Sequence, residues 1–321
     1  MMPPSLHIEI NNFCNSKCII CPLKTMKRKP ETMDFNVFKK IIDELKEKDY
    51  SEDISPFFIG EPFLVPNILD YLRYLRQNVP RAYIRLFTNA SKLTSELSHA
   101  IIKEQLFNRL VVSFDGGTKE AYESVRVGLS FDEVRNNVHE FIRIRNGHGK
   151  KTPLVEISMV VTKNNKNTTK DLEQEFKDAN MVTFHKYFEA SVPGTSKWIY
   201  NPMPKNSRIK NFLNKRNYCY YFDSLMILSN GVVANCCADY EGLYPLGDCK
   251  KETIEQIWNG EILKKRKEDL KHRRFKNLPF CANCDEIDQN ILVGQAFKME
   301  KFFKHFPRIY KVLQIFYAKY G

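Results

Sequence analysis

The sequence predicts an α/β fold: a partial (β/α)6 TIM-like barrel, then a small C-terminal β-hairpin and helix domain, then a helical tail. Three observations carry that expectation. Short apolar runs of strand length alternate with stretches of helical period from the N-terminus to about residue 190. Six strands alternating with helices call for a parallel sheet, where chemistry gathers at the C-terminal strand ends. The third is a break in composition: 192–205 carries Pro193, Gly194, Pro202 and Pro204, a linker. It divides the barrel, 1–195, from a cysteine-bearing stretch, 196–290, and a basic aromatic tail, 291–321.

Leu6–Asn11 reads as the first strand. Phe35–Glu47 follows as a helix, with Val37, Phe38, Ile41, Ile42 and Leu45 at helical spacing and Asp34 as N-cap. Ile54–Ile59 is the second strand and Ile68–Gln77, after Pro66, its helix. Tyr83–Phe87 and Ser95–Glu104 form the third pair. Leu110–Phe114 is a short buried strand, followed by helices at Lys119–Val125 and Phe131–Arg145; the latter aligns Val134, Val138, Phe141 and Ile142. Leu154–Val161, the helix Thr169–Ala179 and the strand Val182–Phe188 complete the series.

At 321 residues and 43% hydrophobic content, the chain supports a substantial core. Met1–Ser5 is not followed by a long apolar region, so no signal peptide is expected, and no apolar run reaches membrane-spanning length. The nine cysteines therefore read as metal ligands in a reducing cytosol rather than as disulfides. A net charge of +12 admits an acidic partner, but no nucleic-acid recognition motif accompanies it.

The segment Cys14-Asn-Ser-Lys-Cys18-Ile-Ile-Cys21-Pro22 places three thiols on one loop, directly after the first strand. Thiolates are the usual ligands of iron–sulfur clusters, and three of them leave one iron of a four-iron cubane without a protein ligand. An open metal position invites a substrate or cofactor, whereas a structural zinc site is closed by four ligands. The spacing C-x3-C-x2-C resembles the signature of the radical S-adenosylmethionine (SAM) superfamily, in which SAM chelates the open iron.

Other strand ends extend the resemblance. Gly60-Glu61-Pro62, after the second strand, resembles the family's SAM-amino-group motif, with Ile59 where many members have glycine. Thr88-Asn89 resembles its Thr-Asn-Gly segment, with Ala90 in place of glycine. Ser113-Phe114-Asp115-Gly116, with Arg126 in the helix that follows, resembles its Ser-x-Asp-Gly turn. Gly60, Glu61, Pro62, Asn89, Ser113, Asp115 and Arg126 are thus implied as cofactor-binding positions, and Glu156 and Ser158 are weaker candidates. Turn chemistry alone also explains Gly-Pro and Asp-Gly.

The later order of Cys219, Gly231 and Cys236, Gly247, Trp258, and Cys281-x2-Cys284 resembles the twitch/SPASM extension. Asn230-Gly231 supplies a hairpin turn. Two auxiliary clusters in that extension need at least seven cysteines and this region has six, so the resemblance implies one auxiliary [4Fe-4S] cluster on Cys219, Cys236, Cys281 and Cys284. Cys237 is the substitute for Cys236, and Cys249 is spare. A closed zinc site is the alternative occupant.

The resemblance implies a radical SAM oxidoreductase: a reduced [4Fe-4S] cluster cleaves SAM, and the 5′-deoxyadenosyl radical abstracts hydrogen from an unactivated carbon. The auxiliary cluster then accepts an electron, and a base takes a proton; His185, Glu189 and Asp239 are the candidates carried forward. The expected substrate is a small molecule or glycan, with a peptide second, and the expected electron donor is a flavodoxin or ferredoxin. A SPASM-type peptide-modifying maturase and a zinc-bound nucleic-acid module are the competing readings. In the tail, Phe302, Phe306, Ile309, Leu313 and Phe316 share a helical stripe flanked by lysines. That pattern suits a docked terminal helix, a partner contact, or peripheral contact with the inner face of a membrane.

Overall fold

Alternation along each strand decides which side meets the helices. In β1 (Ser5–Ile8), Leu6 and Ile8 are fully buried while His7 between them is partly open. The structure, a computed structural model, describes residues 1–186, 219–234 and 236–282. The same division runs through β2 (Asp53–Ser55), β3 (Tyr83–Thr88), β4 (Arg109–Ser113), β5 (Leu154–Val161) and β6 (Met181–Lys186). Ile54, Ile84, Leu86, Leu110, Val112, Val155 and Ile157 are all fully buried. They pack against α1 (Phe35–Glu47), α2 (Ile68–Asn78), α3 (Ser95–Glu104), α4 (Lys119–Val125), α5 (Phe131–Gly147) and α6 (Thr169–Glu175). The opposite face of the sheet carries His7, Ser55, Arg85, Phe87, Ser113 and Ser158.

All six strands are parallel and adjacent in sequence order, as the alternation predicts. Four of the helices, α1, α3, α4 and α5, begin on side-chain caps: Asp34, Thr94, Thr118 and Ser130 each accept a first-turn N–H. The C-terminal hairpin does not form a sheet of its own. Its first strand, β7 (Leu225–Ile227), pairs parallel with β1, and β8 (Val232–Ala234) and β9 (Gly247–Asp248) continue antiparallel. Gly231 makes the turn at φ +87, a left-handed conformation that glycine adopts without strain. Beyond it lie α7 (Ile254–Trp258), α8 (Glu261–Lys271) and α9 (Pro279–Ala282). One buried core runs from Leu6 to Cys281 and joins both regions.

Element boundaries differ by more than two residues in three places. β1 stops at Ile8, although a bridge between Asn11 and Thr32 prolongs the extended chain. β2 ends at Ser55 rather than Ile59 because Pro56 has no N–H for the ladder. α6 ends at Glu175, short of Ala179, where Phe176 turns into the core against Phe114. The last two residues of the expected sixth strand, the 192–205 linker and the 291–321 tail lie outside the described residues. Among the described residues, no helix is long and apolar enough to cross a membrane.

Candidate active site

The loop leaving β1 is held across the sheet's C-terminal end by its own backbone. Lys17 N–H donates to Val127 O at 2.8 Å and Ile19 N–H to Val125 O at 3.0 Å. Cys18 is buried in this loop, with Cys14 and Cys21 half-buried. Burial pushes the Cys14 thiol up to about 11 and Cys21 upward as well, and the neighbouring thiols add to both shifts. Three thiolates gathered without a cation repel one another, which is the condition that bound iron relieves. Among the described residues, no three Cys, His, Asp or Glu side chains are grouped for a single metal ion. A cubane spreads its thiolates over separate iron corners, which suits three thiols on one short loop.

The strand-end motifs converge on this loop. Gly60 has φ +108, and a Cβ there would lie 2.5 Å from Asn11 O, so only glycine lets the β2 turn approach the cysteine loop. Glu61 N–H donates to Phe13 O at 2.9 Å, and Asn11 Nδ2 donates to Glu61 O at 3.1 Å. Pro62 opens a buried turn over 62–64. The Glu61 carboxylate accepts from Thr88 Oγ1 at 2.7 Å, Asn89 N–H at 2.6 Å and Phe63 N–H at 3.1 Å. It is a strut between the β2 and β3 ends, and burial raises its pKa despite these donors.

Asn89 Nδ2 lies 3.0 Å from Asn15 Oδ1 and 3.5 Å from Cys14 Sγ. Ala90, where the resemblance expects glycine, adopts φ +58. Asp115, fully buried, accepts from Val160 N–H at 2.6 Å and from Arg126 Nε at 2.5 Å. Arg126 Nη1 also points to Cys18 Sγ at 3.6 Å. Burial acts to lower Arg126, but Asp115 and Cys18 outweigh it and hold the guanidinium firmly protonated. Ser113 ends β4 opposite Ser158 of β5.

A second group of thiols lies in the C-terminal region. Cys219, Cys236 and Cys281 are buried in the common core, and Cys237 is half-buried. Burial lowers the Arg266 pKa, and the nearby Asp239, Cys281 and Cys236 oppose that shift, so these groups share one neighbourhood. Cys284 lies outside the described residues. Cys249 is buried in the same core; its N–H donates to Gly231 O at 2.8 Å, and burial pushes its thiol up to about 12.

The described base candidates, Asp239 and His185, stand on different elements. Both Asp239 oxygens accept backbone N–H groups, from Leu243 at 2.8 Å and Tyr244 at 3.0 Å, and close their own loop. Glu189 lies outside the described residues. His185 is exposed on β6, with Nε2 3.2 Å from Thr183 Oγ1. Thr183 donates its proton to Glu156 Oε1 at 2.9 Å, which leaves His185 Nε2 to donate to Thr183 Oγ1. Glu156 in turn pairs with Arg109 at 3.2 Å, extending a buried polar row across the sheet.

Sequence reasoning missed Glu9 and Arg28. Glu9 is fully buried after β1 and accepts both Arg28 Nη1 and Nη2 at 2.8 Å. The available signal was the alternation of His7, Glu9 and Asn11 with apolar Leu6, Ile8 and Ile10.

A profile of the radical SAM superfamily matches residues 8–175, the stretch that builds this cysteine loop and its surrounding strand ends. The chain belongs to that superfamily. The profile of the SPASM iron-sulfur cluster-binding domain matches residues 219–285, which contain the second thiol group. A relative in Niallia circulans, S-adenosyl-L-methionine-dependent 2-deoxy-scyllo-inosamine dehydrogenase, is 22% identical over 284 residues, covering 88% of this chain and 92% of its own. The crystal structure of BtrN in complex with AdoMet and 2-DOIA superposes with a TM-score of 0.58 at 19% identity, over 89% of this chain and 94% of BtrN. Native anSMEcpe with bound AdoMet and Cp18Cys peptide gives 0.64 at 18% identity, over 97% and 99%. This radical SAM enzyme accordingly uses a [4Fe-4S] cluster with SAM, and its SPASM domain uses auxiliary iron–sulfur chemistry.

Proposed function

We propose that this radical SAM enzyme oxidises a small hydroxylated metabolite, holding its SAM-binding cluster on Cys14, Cys18 and Cys21. When bound, the cluster and SAM supply a one-electron cleavage whose 5′-deoxyadenosyl radical removes hydrogen from carbon. The observation that carries the reading is the convergence of Asn89 on Cys14, Arg126 on Cys18, and Glu61 on Asn89. In this reading Glu61 holds the β2 and β3 turns in register, and the backbone polar groups of those turns would hold the amino-acid end of SAM. Asp115 and Arg126 fix the opposite wall and place a positive charge beside a cluster ligand.

Cys219, Cys236, Cys281 and Cys284 are the proposed ligands of one auxiliary cluster, an acceptor for the electron left on substrate. His185 is the proposed proton acceptor through Nδ1. A small substrate is favoured over a peptide because sequence similarity to the dehydrogenase spans 88% of this chain, whereas the likeness to peptide-bound anSMEcpe is one of fold. The free thiols suit a reducing cytosol, the compartment we assign.

The test is anaerobic reconstitution, followed by iron and sulfide assay and detection of 5′-deoxyadenosine after dithionite and SAM. Two cubanes predict about eight irons per chain. The C14A/C18A/C21A variant is expected to keep about half of that iron and to form no 5′-deoxyadenosine. A variant that still cleaves SAM overturns the ligand assignment.

A further inference from the structure

Five tyrosines are buried among the described residues, and a buried phenol ordinarily finds a hydrogen-bond partner. Three of them do. Tyr50 donates to Pro3 O at 2.9 Å, Tyr71 donates to Met33 O at 2.6 Å, and Tyr83 accepts from Arg109 Nε at 3.1 Å. The hydroxyls of Tyr122 and Tyr240, both fully buried, make no hydrogen bond among the described residues. Such a group bears its whole desolvation cost, so its position needs a physical reason. Both tyrosines stand beside the first thiol loop, Tyr122 near Cys18 and Tyr240 near Cys21. Thr25 lies close to the Tyr240 hydroxyl and can serve it, whereas the groups acting on Tyr122 are Arg126, Asp115, Cys18 and Glu133.

Tyr122 belongs to α4, and the end of that helix carries the cysteine loop through the Val125 and Val127 carbonyls. Its ring is fixed against Phe114, with centroids 4.4 Å apart, and against Phe131 at 5.8 Å. Gly116 permits that packing, since a Cβ there would lie 2.3 Å from Tyr122 N. Arg126 is one turn further along the same face, and its Nη1 lies 3.6 Å from Cys18 Sγ. The buried carboxylate of Asp115 is already engaged, by Arg126 Nε at 2.5 Å and Val160 N–H at 2.6 Å. Glu133 is exposed. Burial above all raises the Tyr122 pKa; Asp115 and Cys18 add to the rise and Arg126 opposes it, so the hydroxyl keeps its proton as a donor.

We propose that the buried Tyr122 hydroxyl donates a hydrogen bond to sulfur at the Cys18 corner of the SAM-binding cluster and so raises the reduction potential of that cluster. The inference rests on the proposed assignment of the cluster to Cys14, Cys18 and Cys21, and adds a residue that tunes it. Reduction makes the cluster more negative, and a donor to its sulfur stabilises the more negative state. Tyr122 touches no reacting atom; it is a positioning residue that acts through the cluster ligand.

The experiment compares wild type with Tyr122→Phe, and with Tyr71→Phe as a control whose hydroxyl has a partner in the protein. Urea unfolding of the apo proteins is measured first. Y122F is expected to unfold at the same urea concentration as wild type or a higher one, because it loses only an unsatisfied group. Y71F unfolds at a lower one, because it leaves the Met33 carbonyl without its donor. The reduction midpoint of the SAM-binding cluster is then followed by EPR in the reconstituted proteins, on the signal that changes when SAM is added. Y122F lowers that midpoint by about 30–60 mV, a threefold to tenfold shift in a one-electron equilibrium, and Y71F leaves it unchanged.

Lower apo stability of Y122F overturns the proposal, because it gives the hydroxyl a partner within the protein or a buried water. An unchanged midpoint in Y122F, or an equal fall in Y71F, overturns it too. If Y122F fails to load the SAM-binding cluster, unchanged apo stability supports the proposal and reduced apo stability overturns it. A wild-type protein with no SAM-sensitive cluster signal overturns the underlying cluster assignment instead, and the proposal falls with it.

Discussion

Arg126 shows how one residue serves both the fold and the site. Its Nε neutralises Asp115, whose carboxylate is fully buried, and its Nη1 reaches toward Cys18. Removing the cation strands Asp115 with the Val160 N–H, so Arg126→Met is expected to destabilise the apo protein by about 3–5 kcal/mol in urea unfolding. Lysine cannot reproduce the forked contact, so Arg126→Lys recovers only part of that loss. A loss below about 1 kcal/mol for Arg126→Met contradicts the buried-charge argument. His7 makes a pH-dependent contribution. Burial first, then the charge of Arg85, lowers its pKa from 6.5 to about 4. The native state therefore stays neutral where the unfolded chain takes up a proton. Stability falls as pH drops from 6.5 toward 4, by up to about 3 kcal/mol, and His7→Gln flattens urea-unfolding profiles across that window. An unchanged profile excludes His7 as the source.

At the scale of elements, local chemistry was legible and long-range pairing was not. The bounds of α1, α3 and α4 follow from apolar spacing and from caps that bond within their own first turn. The Cys14, Cys18 and Cys21 loop was legible for the same reason, since its meaning lies in spacing over eight residues. Asn89 and Arg126 were placed by resemblance, but the strut role of Glu61 depends on donors 27 and 28 residues away. The pairing of β7 with β1 left no trace in either strand, because β1 shows only the alternation of a half-buried strand and Leu225–Ile227 is a three-residue apolar run. A similar long-range bond caps α7. Its Thr253 capping box is visible in sequence, but Glu44 of α1 also accepts the N–H groups of Ile254 and Glu255, at 2.7 and 2.9 Å. Glu44→Ala is expected to cost about 1–2 kcal/mol in urea unfolding, the range of a lost cap. A cost near zero means that water replaces both acceptors.

At the scale of the whole molecule, a buried ion pair joins the two thiol-bearing regions. Arg28 follows the cysteine loop directly, and its side chain is 8% exposed. Besides its two bonds to Glu9, it donates from Nε to Tyr240 O at 2.7 Å and from Nη1 to Ser229 Oγ at 3.3 Å. Glu9 also accepts the Ser229 N–H at 2.8 Å and its hydroxyl at 3.0 Å. Ser229 precedes the hairpin turn, and Tyr240 lies four residues past Cys236. One guanidinium thus fixes the exit of the first thiol loop against the hairpin that carries the second group. Desolvation makes such a pair a weak source of net stability, but its members are strongly interdependent. Arg28→Met alone is expected to cost about 3–5 kcal/mol because Glu9 is left buried and charged. Adding Glu9→Gln removes that charge, so the double variant is less damaged than the two single losses predict. A double-mutant cycle by urea unfolding should give a coupling of about 1–3 kcal/mol. Additive losses mean that Arg28 packs against the hairpin without acting as its electrostatic tie, and the registry between the two thiol groups then rests on the pairing of β7 with β1.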